Sequence, residues 1–375
     1  MKKILALALS LIMVGTLVSC SSNTTNQGAV TEDTQAQTTQ AQKSETYELA
    51  LVTDLGTIDD KSFNQGSWEG LVQYAQEKNV SHKYYQPQSK ETSSYIETIE
   101  LAIEGGAKVI VCPGYLFEEP VFEVQSKYPN IKFILIDGEP HSGDYSVYKT
   151  ENNVMAVLFK EDQAGYLAGY AAVKEGMTEL GFMGGMAVPA VVRFGYGFVQ
   201  GADAAAKELG KTINVKYHYT GAFAATPEAQ AMAASWFNGG TEVIFGCGGA
   251  VGNSVMAAAE SAGKKVIGVD VDQYAESNTV ITSAIKQLGN AVYSGIESVY
   301  NNNFPGGKTS VFTVENDGVG IAMEHNKFTT FTEDDYAQIY SKMRAGSINI
   351  IDDVSVTDTS NIKDSLTATK VDFVG

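Results

Sequence analysis

The chain has 375 residues and carries 44 acidic against 26 basic side chains, a formal net charge of −18. That balance argues against a nucleic-acid partner, whose phosphates would be repelled. Its four histidines, at 82, 141, 218 and 325, show no ligand spacing, so neither a metal nor any other cofactor is expected.

The chain opens Met1-Lys-Lys-Ile, runs through an apolar segment to Leu17 and reaches Leu17-Val-Ser-Cys20. Two lysines, a short apolar core and small residues at the break make residues 1–19 a secretory signal, too short to span a membrane. Cys20, directly after Leu-Val-Ser, has the form of a bacterial lipobox, in which it becomes the lipidated first residue. An ordinary signal with an incidental cysteine is the alternative. Residues 20–46 are rich in Ser, Thr, Asn, Gln and Ala and have too few apolar groups to offset chain entropy, so a flexible tether is expected. Anchor and tether place the folded part outside the cytoplasm, held to a membrane through lipid only. No later run is long and apolar enough to span one.

The remaining length suits two domains. Residues 47–53 read as a buried parallel strand and residues 68–78 as a helix. Between them lies Asp54-Leu-Gly-Thr-Ile-Asp-Asp-Lys-Ser-Phe-Asn-Gln65, a polar loop at a strand end, where open α/β sheets bind ligands. Phe63 beside the Asn64 amide can stack on a flat ring and hydrogen-bond its edge. The same residues also make an ordinary helix start, with Asp59, Asp60 or Ser62 as N-cap and Phe63 in the core. Further on, residues 83–86, 109–112 and 132–136 read as strands, the last ending in Asp137. Residues 95–104 and 118–127 read as helices between them.

After residues 145–153 the pattern restarts. Helices are expected over 161–174, 198–209, 227–237, from the 246–252 loop through 261, and over 290–300. Strands are expected over 180–183, 214–220, 242–245, 265–269 and 281–286. The alternation implies parallel sheets with crossover helices. A late exchange of segments between domains would join them by several strands. The expected boundaries are 47–151 plus 283–312 for one lobe and 152–282 plus 313–375 for the other. Cys112 and Cys247 each end an apolar run and read as small buried residues rather than disulfide halves.

Gly246-x-Gly248-x-x-x-Gly252 follows a strand and opens a helix, with Asp270 ending the next strand, as in a dinucleotide-binding unit. The spacing has one residue too many, and the motif does not begin its array. An exported protein would also have poor access to a nicotinamide cofactor. Asp270 remains a candidate for ribose hydroxyls. No Gly-x-Ser-x-Gly elbow is present, and Asp59/Asp60 and Asp270/Asp272 read as caps and turns rather than acid/base pairs.

The 54–65 loop, Glu161-x-x-Ala-Gly-Tyr-Leu-Ala-Gly169, Phe182-x-Gly-Gly185, Tyr196-Gly-Phe-x-x-Gly201, Gly268-Val-Asp-x-Asp-Gln273 and Thr282-Ser-Ala-x-Lys286 together resemble the basic membrane protein family. The resemblance runs in order from about residue 47 to 320. It implies an α/β protein of the type I periplasmic-binding-protein fold, two Rossmann-like lobes closing on a nucleoside for an ABC permease. Asp54, Phe63, Asn64, Asp137, Phe223, Gly246, Gly248, Asp270 and Lys286 are then the ligand-binding residues. Phe63 and Phe223 stack on the base from opposite lobes, and Asn64 and Asp137 meet its edge. Asp270 and Lys286 hold ribose hydroxyls, with Gly246 or Gly248 offering backbone. Ala225 departs from the family, where an acid often follows two residues after the second ring. A monomeric binding protein without catalytic residues is expected, with purines favoured. The competing readings are an exported nucleoside-processing enzyme and a receptor that reports to a membrane sensor. Core burial of the two rings, helix-capping roles for Asp137 and Asp270, and a hinge-surface ion pair for Lys286 are the residue-level alternatives.

Overall fold

A computed structural model describes residues 46–374. The signal at 1–19, lipidation at Cys20 and the tether up to residue 45 lie outside the described residues. Among the described residues, no helix is long and apolar enough to cross a membrane.

The first array runs β1 (Leu49–Val52), α1 (Phe63–Lys78), β2 (His82–Tyr85), α2 (Thr92–Glu104), β3 (Val109–Pro113), α3 (Glu118–Gln125), β4 (Lys132–Ile136) and β5 (Val154–Phe159). The second runs α4 (Glu161–Lys174), β6 (Glu179–Gly184), α5 (Pro189–Leu209), β7 (Ile213–Tyr219), α6 (Pro227–Asn238), β8 (Val243–Cys247), α7 (Val251–Ala262), β9 (Lys265–Asp270) and β10 (Val280–Lys286). The chain then continues through α8 (Leu288–Tyr300), β11 (Lys308–Phe312), β12 (Val319–Ile321), α9 (Glu333–Arg344) and β13 (Thr369–Phe373). Two sheets result, β11-β5-β4-β3-β1-β2 and β12-β10-β9-β8-β6-β7-β13, with only the β10–β12 pair antiparallel. The β1 and β3 strands are buried along their whole length, as expected of parallel strands covered by helices on both faces.

Three passages join the lobes, at Lys160, Gln287 and Thr313. The boundaries expected at 151 and 283 are therefore corrected. Residues 154–159 pair with β4 in the first sheet, and residues 283–286 stay paired with β9 in the second. Residues 154–159 are not among the expected strands, and the extended reading of 281–286 does not say which sheet supplies its partner. α5 also begins at Pro189, nine residues before the expected helix, with proline in the first turn where its missing N–H costs nothing.

α4 and α5 pack backbone to backbone. A Cβ at Gly169 would stand 2.0 Å from the Phe198 carbonyl oxygen, and one at Gly165 would stand 2.1 Å from that of Phe194. Cys112 and Cys247 are both free and buried.

Candidate ligand-binding cleft

The loops that follow β1, β3 and β4 in one lobe, and β6, β7 and β8 in the other, surround one cavity of about 510 Å³. The ends of β9 and β10 contribute Asp270 and Lys286.

The first-lobe wall is built on the start of α1. The Asp60 carboxylate accepts from the backbone N–H groups of Ser62 (2.9 Å), Asn64 (3.0 Å) and Gln65 (3.1 Å), which caps the helix. The Asn64 amide nitrogen donates to Asp54 Oδ1 at 2.9 Å and to Asp60 Oδ2 at 3.1 Å. Asp54 Oδ1 also accepts from the Gly56 backbone at 2.6 Å. Burial pushes the carboxyl groups of Asp54 and Asp60 above their ordinary range, against these hydrogen bonds. Phe63, the first helical residue, is half-buried and lines the cavity.

The floor is a charge network. Asp137 follows β4 and Asp270 ends β9, both in the left-handed region (φ 60° and 67°), where Asp is tolerated better than most residues. Lys286 Nζ bonds Asp137 Oδ2 and lies 3.1 Å from Glu161 Oε1. Glu161 Oε2 in turn pairs with Arg193 at 2.6 Å. The ammonium also faces the rings of Phe63, Phe159 and Phe194 at 5.0, 5.3 and 5.5 Å, a cation–π setting. Although burial works against its charge, the carboxylates of Asp137, Glu161 and Asp270 hold Lys286 above the ordinary lysine value. Glu161 is fully buried yet held below its usual range by Arg193 and Lys286. Asp137 has only a share of Lys286, and burial pushes its carboxyl up to about 7 despite that attraction. Burial likewise raises Asp270, which accepts from Ser62 Oγ at 2.5 Å.

The second-lobe wall is apolar. Met186, Val188, Ala190, Val191 and the run Gly221–Ala225 line it, with Phe223 at its centre. A Cβ at Gly185 would stand 2.4 Å from the Phe223 ring, so only a glycine leaves room for it there. The glycine-rich loop that opens α7 lies under the same residue. A Cβ at Gly249 would come within 3.1 Å of the Phe223 carbonyl oxygen, and Ala250 N–H donates to that oxygen at 2.9 Å. The dinucleotide-like spacing thus serves an aromatic wall.

Of the residues expected from sequence, Asp54, Phe63, Asn64, Asp137, Phe223, Gly248, Asp270 and Lys286 all line this cavity. Gly246 does not. It is a buried residue of β8 facing α7, where a Cβ would meet Gly252 at 3.1 Å, so its glycine serves strand–helix packing. Lys286 is no surface pair, being buried in contact with Asp137. Asp137 and Lys286 therefore belong to the same end of the cavity rather than to opposite ends of a ligand. Glu161 and Arg193 were not legible as parts of the site, because a helix-leading acid and a mid-helix arginine look alike wherever they fall. Two buried acceptors in the lining, Asn64 Oδ1 and Asp137 Oδ1, have no protein hydrogen-bond partner. Among the described residues no group of His, Cys, Asp or Glu has the arrangement to hold a metal ion.

Two lobes, three connecting passages and an interlobe cavity with unpaired acceptors define a solute-binding protein of the type I periplasmic-binding-protein fold. The chain belongs to the Bmp family, described as ABC transporter substrate-binding protein PnrA-like, which residues 47–357 match. It is 29% identical over 350 residues to the ABC transporter nucleoside-binding protein BmpA of Lactococcus lactis subsp. cremoris, covering 86% of this chain and 92% of that one. It is 31% identical over 287 residues to basic membrane protein B of Borreliella burgdorferi, covering 74% and 81%. Among solved structures, an ABC transporter solute-binding protein from Aeropyrum pernix K1 shares the fold with a TM-score of 0.75 at 22% identity, covering 86% of this chain and 98% of that one. Proteins of this family are ABC-transporter substrate-binding proteins rather than enzymes.

Proposed function

We propose that this protein is the lipid-anchored, extracytoplasmic receptor of an ABC importer and that it carries a nucleoside, with purines favoured, to the permease as a monomer. The observation that carries this reading is the pairing of Phe63 and Phe223, one from each lobe, beside a buried charge network. Two rings favour a flat base, and stacking on one aromatic is worth about 1–3 kcal/mol by substitution. The unpaired acceptors of Asn64 and Asp137 suit base N–H groups, and Asp270 suits ribose hydroxyls. Lys286 bonds Asp137 and lies in an ion pair with Glu161, and its ammonium, with three N–H donors, keeps capacity for a ligand oxygen. Gly248 can offer backbone from the opposite wall. The carboxylates repel phosphate, so the ligand is a nucleoside rather than a nucleotide. The name of the L. lactis relative agrees with this choice.

The test is mass spectrometry of the small molecule that co-purifies with protein made without residues 1–19. A nucleoside is expected, and a sugar, amino acid or peptide overturns the reading. Incubation with guanosine should return guanosine. Released base or ribose would mark the protein as an enzyme instead.

A further inference from the structure

Asn64 has a fixed polarity. Both hydrogens of its side-chain nitrogen are taken by carboxylates, at 2.9 Å by Asp54 and 3.1 Å by Asp60. Turning the amide over would set its oxygen against two carboxylate oxygens, so the network itself assigns the orientation. The residue is only 2% exposed, it lines the cavity, and its Oδ1 has no protein partner. Asp60 is in turn held by three backbone N–H groups, and Asp54 by the Gly56 N–H, so neither acid is free to swing aside.

We infer that Asp60 and Asp54 are positioning residues that lock Asn64 as a pure acceptor, so that the cleft selects bases that donate a hydrogen bond and rejects those that do not. The inference rests on the nucleoside reading. A base with a ring N–H, such as hypoxanthine, satisfies Asn64 Oδ1. A base with only bare ring nitrogens leaves that oxygen and its own nitrogen facing each other, both desolvated and unpaired.

The probes are inosine and purine riboside, which share the ribose and the bicyclic ring but differ in the 6-oxo group and the N1–H. The parent protein is expected to bind inosine at least about tenfold more tightly, a difference of about 1.4 kcal/mol. In the double variant Asp54→Ala, Asp60→Ser, both carboxylate acceptors of the Asn64 amide nitrogen are gone, the amide can turn and present N–H, and the ratio is expected to fall to within about threefold. Ser is also a good helix cap, so α1 should survive, with melting temperatures checking this. If the double variant does not fold, Asp54→Ala alone, which touches no helix N–H, is expected to narrow the ratio by about threefold. A merely structural role would weaken both ligands in parallel. A retained ratio, or a parent with no preference, overturns this inference alone. A parent that binds neither nucleoside overturns the nucleoside reading, and this inference with it.

Discussion

Asp137 touches a full ammonium and still binds its proton up to about pH 7, because burial outweighs a Lys286 shared with Glu161. Its folded value lies above the 3.8 of an ordinary aspartate, so the folded state holds the extra proton between those limits. Stability from this group is present at the acid side of the window and is lost as pH rises through about 7. Between pH 6 and 8 the loss is on the order of 1 kcal/mol, and melting of the unliganded protein should show it. Asp137→Asn should remove most of that difference. Asp162, pushed up to about 6 by burial, acts with the same sign below that range. Ligand binding should run the other way. With Oδ2 held by Lys286, a proton on Asp137 sits on Oδ1, the oxygen offered to the base, so guanosine affinity should rise by up to about tenfold from pH 6 to 8. Asp270 and Phe63 separate the two ends of the ligand. Asp270→Ala should cost guanosine one to two orders of magnitude, from about 1.5–3 kcal/mol of charge-assisted hydrogen bonding, and should cost free guanine less, only what the lost Ser62 contact costs. Phe63→Ala should weaken both alike. Titration calorimetry that finds Asp270→Ala equally harmful to guanine and guanosine would refute the ribose role.

At the scale of elements, α4 and α5 are fixed by what is missing from them. Gly165, Gly169, Gly197 and Gly201 let the two backbones touch, and a Cβ at Gly197 would lie 2.0 Å from the Asp162 carbonyl oxygen. Glu161 heads α4, while Arg193 and Phe194 lie in the early turns of α5, so this contact sets the depth of the cavity floor. Gly165→Ala should force the helices apart. Its cost should match overpacking at a well-packed contact, about 1–3 kcal/mol or more, and guanosine binding should fall with it. An unchanged melting temperature would show that α5 shifts freely. Much of this level was legible in the sequence. The 161–174 helix and the 132–136 strand have the bounds read from apolar spacing and glycine stops. The strand at residues 154–159 is not among those expected, and the partner sheet of 281–286 was not legible, because a strand's neighbours are set by long-range hydrogen bonds that leave no mark on its own composition. β13, half-exposed at a sheet edge, carries no continuous apolar run and gave no strand pattern. Gly246 shows the same limit within the site. A glycine needed for packing α7 onto β8 cannot be told by spacing from one that approaches a ligand.

At the scale of the whole molecule, binding is coupled to how the lobes meet. Besides the Lys286–Asp137 contact, two hydrogen bonds cross between them at the start of α1. Ser62 Oγ donates to Asp270 Oδ2 at 2.5 Å, and Gln273 Nε2 donates to the Lys61 carbonyl at 2.6 Å. Gln273 is itself braced inside the second lobe, its Oε1 accepting from Val269 N–H at 2.9 Å and its backbone N–H donating to Ser283 Oγ at 3.0 Å. The start of α1 is thus tied to the very acid proposed to hold the ribose. A conformational equilibrium moves only by the difference in free energy between its states. Contacts made only when the lobes meet therefore add to ligand affinity without touching ligand. Ser62→Ala removes a hydrogen bond to a charged group, worth about 1.5–3 kcal/mol, and leaves Asp270 Oδ2 without that donor in a buried setting. The unliganded variant should populate a more open form, seen as a larger radius of gyration in solution scattering. Guanosine should bind it about tenfold or more weakly, mainly through faster dissociation in stopped-flow traces. Gln273→Ala, which removes the second tie and leaves Ser62 and Asp270 in place, should open the lobes as well and weaken binding in the same direction. If both variants keep the parent's scattering profile and dissociation rate, these bonds persist in the open form, and closure must draw its free energy from the ligand and the Lys286–Asp137 contact.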